Sequence, residues 1–115
     1  MAHLLILEDD DDLNGFLCDV LNERGHTCDC VRTRVEADAA LRAKRYDLVV
    51  ADAILPDGSG HDIAAMCANA GVTALLMTGY AHEVDTLIAR GATCLVKPFR
   101  VAEFISLVES HLPRP

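Results

Sequence analysis

Apolar residues fall into two alternating rhythms along this chain, and each rhythm predicts a different element. Leu4-Leu5-Ile6-Leu7 is a short unbroken block that reads as a strand. Leu13, Phe16, Leu17, Val20 and Leu21 then recur at i, i+3, i+4, i+7 and i+8, one face of a helix. Arg24-Gly25 closes that helix, with a cation in its last turn and a glycine just beyond. Thr27 to Val31 reads as a second strand. Residues 34–44 are rich in alanine and carry a thin apolar stripe of Val35, Ala40 and Leu41, which suits a helix. Leu48-Val49-Val50-Ala51 is a continuous apolar run of the kind a strand shows when both faces are covered. Leu-Pro-Asp-Gly-Ser-Gly over 55–60 predicts a loop. Ile63, Met66, Cys67 and Ala70 carry the next helix, with Gly71 past its end, and Thr73 to Met77 is a fourth strand. Val84, Leu87 and Ile88 mark a short helix closed by Arg90-Gly91, and Cys94-Leu95-Val96 is the fifth strand. Val101, Phe104, Ile105, Val108 and Leu112 form a last amphipathic helix, stopped by Pro113.

Strand and helix thus alternate five times. That order predicts an α/β domain over residues 1–115: a doubly wound parallel (βα)5 sheet with helices on both faces and right-handed crossovers. Ligands of such sheets bind beyond the carboxyl ends of the strands, at the point where the winding reverses.

Composition alters this picture little. A hydrophobic fraction of 51% is enough for a core, and with aromatics at 4% that core must be built from Leu, Val, Ile and Ala. Charge alters it more. A formal net charge of -8 argues against binding a nucleic-acid backbone, which needs clustered Lys and Arg, and fits protein partners or a metal ion. No apolar run approaches the length of a membrane span, and Met1-Ala2-His3 leads straight into a strand-like run. The expectation is therefore no signal peptide, no membrane and a cytoplasmic protein. Five cysteines, Cys18, Cys28, Cys30, Cys67 and Cys94, contain no C-x-x-C, and the expectation is reduced, mostly buried thiols.

The chemistry sits at the strand ends. The first strand runs into Glu8-Asp9-Asp10-Asp11-Asp12. Carboxylates a few ångströms apart repel one another, and a hard cation such as Mg²⁺ relieves them. The plain alternative is that Asp11 or Asp12 caps the next helix while the others are solvated. The third strand delivers Asp52, the fourth Thr78 and the fifth Lys97. Four separate segments therefore bring three carboxylates, a hydroxyl and an ammonium to one rim. Glu8, Asp9 and Asp52 can hold one Mg²⁺. Asp52 is a plausible nucleophile toward phosphorus, and Lys97 and Thr78 would offset charge on the phosphoryl oxygens. Each residue also has an ordinary explanation: an Asx-turn at Asp52, a backbone bond at Thr78, a solvated charge at Lys97.

With Leu5-Ile6-Leu7-Glu8-Asp9-Asp10, Tyr46-Asp47-Leu48-Val49-Val50-Ala51-Asp52, Leu55-Pro56-Asp57-Gly58-Ser59-Gly60, Met77-Thr78-Gly79-Tyr80 and Leu95-Val96-Lys97-Pro98-Phe99 in this order, the chain resembles a two-component response-regulator receiver domain over essentially its whole length. The resemblance implies a flavodoxin-like strand order of 2-1-3-4-5. It implies Asp52 as phosphoacceptor, with Glu8, Asp9, Asp52 and the backbone carbonyl of Ile54 around Mg²⁺. It further implies Thr78 as the switch hydroxyl, Lys97 as the partner of the phosphoryl group, and a cis Lys97-Pro98 bond. The donor would be a histidine kinase or a histidine phosphotransfer protein. The output would be a switched protein interaction, by a monomer or weak dimer, through the face of the fourth helix, fifth strand and fifth helix.

Three positions bear on how the family pattern would work here. Cys94 stands where an aromatic ring usually couples to the switch hydroxyl, so a ring-rotation readout is not expected. Ile54 and Tyr80, two residues beyond Asp52 and Thr78, offer no general base, which predicts slow self-dephosphorylation. The start at Met1 and the end at Pro113-Arg114-Pro115 favour a stand-alone receiver over one excised from a hybrid histidine kinase. A metal-dependent phosphohydrolase would want an acid at position 54, and a flavodoxin-like cofactor binder would want a phosphate loop rather than an acidic one after the first strand.

Overall fold

The computed structural model describes residues 2–79, 84–89 and 93–112. Parallel strands β1 (His3–Leu7), β2 (Thr27–Val31), β3 (Leu48–Asp52), β6 (Thr73–Thr78) and β7 (Thr93–Val96) form one sheet in the order β2-β1-β3-β6-β7. This is the expected 2-1-3-4-5 winding once a small antiparallel hairpin, β4 (Ile54–Leu55) with β5 (Gly58–Ser59), is set aside. The hairpin replaces the irregular loop that Leu-Pro-Asp-Gly-Ser-Gly suggested. Helices α1 (Asp11–Glu23), α2 (Arg34–Ala43), α3 (Gly60–Ala70), α4 (Val84–Ala89) and α5 (Val101–Ser110) complete the chain. Tyr80, Arg90-Gly91 and Pro113 lie outside the described residues.

Alternation along the strands builds the two sides of the core. Leu5, Leu7, Val49, Ala51, Ala74 and Leu76 face one way, into a cluster with Ala37 of α2 and Ile63 and Cys67 of α3. Leu4, Ile6, Leu48, Val50, Leu75 and Met77 face the other way, against Leu17 and Leu21 of α1 and Phe104 and Val108 of α5. Burial on both faces explains the unbroken apolar runs of β1 and β3.

Three local expectations need correction. Phe16 is 49% exposed and Val35 is 63% exposed, so neither belongs to its helix's buried stripe. On α1 the buried positions are Asn14, Leu17, Cys18 and Leu21, because a polar residue, Asn14, takes a place that the apolar spacing could not mark. The cap of α1 is Asp10, whose side chain accepts from the backbone N–H of Asp12 and Leu13, rather than Asp11 or Asp12.

The third correction concerns sulfur. Cys18 of α1 and Cys30 of β2 are joined in a disulfide, so the expectation of five reduced thiols fails for this pair. Cys28 and Cys30 do share a strand face, and that face is covered by α1. Spacing gives a residue's face but not which helical residue stands opposite, so the pairing was not legible. Cys28, Cys67 and Cys94 remain free. The bridge closes a loop across 12 positions of sequence, for which chain entropy gives about 3 kcal/mol. Treatment with a dithiol reductant is therefore expected to lower the melting temperature by about 10–15 °C, and no shift on reduction would contradict a formed bridge.

Two polar clusters tie distant elements together. Asp29 accepts from the Tyr46 hydroxyl at 2.7 Å, pairs with Lys44 and lies 3.1 Å from the His3 ring. Glu109 pairs with Arg24 and His26, fastening α5 to the turn after α1. Hydrogen bonds from Tyr46 and His3 hold Asp29 down to about 2, from an ordinary 3.8, and those from Arg24 and His26 hold Glu109 down to about 2, from 4.5. A carboxylate with a depressed folded-state pKa stabilises the fold above its unfolded value and loses that contribution as pH falls through the folded one. Acid unfolding is thus expected between about pH 4.5 and pH 2, and removing either carboxylate (Asp29→Asn or Glu109→Gln) should flatten that part of the stability curve. A midpoint that does not move in a urea-against-pH series would contradict it.

Candidate functional site

Parallel pairing places all the expected residues at one edge. Leu7 stands opposite Ala51, so Glu8 emerges level with Asp52. Asp52 ends β3 opposite Met77, Thr78 ends β6 opposite Val96, and Lys97 follows β7 directly. The reversal of winding lies between β1 and β3, and the carboxylates stand there.

Glu8 is buried to 2% exposure, an unusual place for a carboxylate. Its Oε1 lies 3.6 Å from the Lys97 ammonium, and its Oε2 is buried without a hydrogen-bond partner among the described residues. Lys97 donates to Asp52 Oδ2 at 3.0 Å, and the Ile54 backbone N–H donates to Asp52 Oδ1 at 3.1 Å. One carboxylate oxygen from each of Glu8, Asp9 and Asp52 can be chosen so that all three lie within 4.8 Å of one another. Burial, and then the neighbouring Asp52, push the Glu8 carboxyl up to about 8, with Lys97 opposing. One lysine is too little cation for three carboxylates. An orphaned buried oxygen beside two more acidic side chains fits a hard divalent ion of oxygen-ligand chemistry such as Mg²⁺.

The frame of the site is fixed by backbone bonds. Ala53 N–H donates to the Met77 carbonyl at 2.8 Å, and Lys97 N–H donates to the Thr78 carbonyl at 2.7 Å. The Lys97-Pro98 bond is cis, as expected. Thr78 is buried at 1% exposure, and Cys94 is half-buried on β7.

Two positions escaped the sequence reading. Asn14 is buried and its amide donates to the carbonyls of Glu8 and Val31, both at 2.9 Å, which holds the acidic turn against β2. An Asn inside an apolar helical stripe was the available signal. Asp57 has the composition of a loop residue, yet its carboxylate binds the start of α2.

A doubly wound five-stranded parallel sheet thus carries an acidic triad and a lysine at its switch point. The family model of the response regulator receiver domain matches residues 4–109, and the chain belongs to that family, the receiver domains of two-component signal transduction. It is 34% identical to the transcriptional regulatory protein CusR of Escherichia coli K12, over 96% of this chain and 51% of that protein. It is 46% identical to the transcriptional regulatory protein PmrA of Pectobacterium parmentieri, over 96% of this chain and 52% of that protein. The chain thus spans about half the length of the curated relatives it matches. Among solved structures, the non-phosphorylated HemR receiver domain of Leptospira biflexa superposes with a TM-score of 0.88 at 32% identity, covering 100% of this chain and 98% of that one. The response regulator TrrA of Thermotoga maritima, in complex with Mg²⁺ and BeF, superposes with a TM-score of 0.88 at 27% identity, covering 97% and 100%. Neither rival, hydrolase or flavin binder, is favoured by these likenesses.

Proposed function

We propose that residues 1–115 act as one receiver domain in the cytoplasm, which takes a phosphoryl group on Asp52 from a histidine kinase or a histidine phosphotransfer protein, with Mg²⁺ bound by Glu8, Asp9, Asp52 and the Ile54 carbonyl. The observation that carries this reading is Lys97, 3.0 Å from Asp52 and 3.6 Å from a buried Glu8 whose second oxygen has no partner among the described residues. Mg²⁺, when bound, would neutralise charge on the incoming phosphoryl oxygens. An Asp52 oxygen attacks phosphorus, the P–N bond of the donor phosphohistidine breaks, and the imidazole leaves with the electron pair. Lys97 then passes from Asp52 to a phosphoryl oxygen, and the Thr78 hydroxyl donates to another. A beryllofluoride titration followed by amide NMR tests this: with Mg²⁺, shifts at Thr78 and Lys97 in wild type and none in Asp52→Ala are expected. Identical spectra with and without beryllofluoride would contradict it.

The donor must carry its phosphohistidine to Asp52, so it must cover the rim beside Lys97. An apolar groove of about 480 Å³ lies there, lined by Leu13, Phe16, Lys97, Pro98, Phe99 and Val101. Phe16→Glu is expected to slow transfer from a phosphorylated kinase about tenfold or more while leaving phosphorylation by acetyl phosphate unchanged. Equal effects on both donors would contradict docking at this groove. Output would run through the face of α4, β7 and α5, where Ile88 is 54% exposed and Val96 40% exposed, in a monomer or weak dimer. Ile54 is 53% exposed and carries no base, which supports slow self-dephosphorylation; loss of the phosphoryl group within seconds in intact-mass time points would contradict it.

A further inference from the structure

Asp57 sits at the tip of the β4–β5 hairpin, in the turn between Leu55 and Gly58. Its two carboxylate oxygens accept from the first two backbone N–H groups of α2, Arg34 at 2.7 Å and Val35 at 3.1 Å. The Arg34 guanidinium returns along the hairpin and donates from Nε to the Asp57 carbonyl at 3.1 Å. Arg34 lies so close to the turn that a Cβ added at Gly58 would stand 2.6 Å from its Cδ. Yet α2 already has its own N-cap, since Thr33 accepts from the Glu36 N–H. Asp57 therefore does more than finish a helix. It fastens the loop after β3 to the loop after β2.

Hydrogen bonds tie both loops to the acidic site. The Glu8 N–H donates to the Val31 carbonyl at 3.1 Å, and Asn14 holds the carbonyls of Glu8 and Val31 together. Three residues on, Arg34 meets Asp57. From Asp57 the hairpin returns to Ile54, whose N–H holds Asp52 Oδ1. Backbone and hydrogen bonds thus lead from Glu8 through Val31, Arg34, Asp57 and Ile54 to Asp52, and Lys97 lies between the Asp52 and Glu8 carboxylates. Among the described residues, the side chains of Asp57 and Arg34 join the two loops, and the Asp57 carboxylate supplies two of the three hydrogen bonds between them.

We propose that Asp57 is a positioning residue for phosphorylation: by clamping the hairpin tip to the start of α2, it fixes the Ile54 backbone and the Asp52 carboxylate relative to Glu8. This rests on reading the triad as the metal and phosphoryl site. The Asp57 carboxyl is held below its ordinary value, chiefly by the Arg34 backbone bond, in keeping with an ionised clamp at a helix start.

The test measures Mg²⁺ affinity by titration calorimetry and the Ile54 amide resonance in metal-free protein, for wild type, Asp57→Ala, Asp57→Asn and Thr33→Ala. Residues that support metal ligands from outside typically change affinity about 10–100-fold when lost. Asp57→Ala is expected to weaken Mg²⁺ binding about tenfold and to shift the Ile54 amide. Asp57→Asn, which keeps one acceptor oxygen, should recover part of both. Thr33→Ala removes a cap from the same helix and should change thermal stability but neither readout. Unchanged affinity in Asp57→Ala, or equal losses in Asp57→Ala and Thr33→Ala, would overturn the proposal, because α2 stability alone would then explain the data. If wild type binds no Mg²⁺, the reading of the site fails separately. The Ile54 amide still decides the clamp, since an unmoved resonance in Asp57→Ala refutes it and a shifted one supports it.

Discussion

Lys97→Ala is expected to slow phosphorylation of Asp52 by about 10²–10³-fold while tightening Mg²⁺ binding. The two effects have opposite sign for one physical reason. At rest the ammonium sits 3.0 Å from Asp52 and 3.6 Å from Glu8, so it competes with a metal ion for the same carboxylates. Removing it leaves the triad more negative and a better cation site. During transfer, negative charge gathers on the phosphoryl oxygens, and a fixed cation aimed at that position is then missing. Calorimetric Mg²⁺ affinity and an acetyl phosphate time course would separate the two effects. A variant that lost metal affinity and rate together would show that Lys97 merely holds the pocket open.

Mg²⁺ affinity is expected to fall about tenfold for each pH unit below about 8, down to about pH 6. The cause is Glu8, whose carboxyl is pushed up to about 8, chiefly by burial and then by Asp52, against an ordinary 4.5. Folded and metal-free, it keeps its proton at neutral pH, whereas in the unfolded chain the proton is gone. Through this group the metal-free fold loses stability as pH rises from about 4.5 toward 8. A metal ion reverses that loss, since it binds the carboxylate and expels the proton. Two observations follow: proton release on Mg²⁺ binding near pH 7, and a Mg²⁺-induced rise in melting temperature that is larger at pH 8 than at pH 6. Glu8→Gln should abolish the proton release. Affinity independent of pH in wild type would contradict the account, because a solvated carboxylate would not hold a proton in this range.

The fold was legible because both sequence rhythms report burial directly. Continuous runs at Leu4–Leu7 and Leu48–Ala51 come from a sheet covered on both sides, and Gly71 appears in the left-handed conformation at φ 73, as its place after Ala70 suggested. The candidate site was legible because parallel strands expose their carboxyl ends at one edge, so residues far apart in sequence, such as Glu8, Asp52 and Lys97, had to meet. What escaped depends on pairings between elements. Phe16 has the right helical spacing for the core but turns to the groove beside Pro98, and nothing local distinguishes it from Leu17. Asp57 has the composition of a turn, and its partner is a helix start more than twenty residues earlier. Cys18 and Cys30 meet only through the packing of α1 on β2. Spacing along one element fixes a face, and the register between elements remains a property of the packed core.

Asp52 is the proposed phosphoacceptor of this receiver domain. Intact mass after incubation with acetyl phosphate and Mg²⁺, for wild type beside Asp52→Ala, tests it most directly. One added phosphoryl group on wild type, absent from Asp52→Ala and absent when the metal is chelated, is the predicted result. An adduct that persists in Asp52→Ala, or no adduct on wild type, would contradict it.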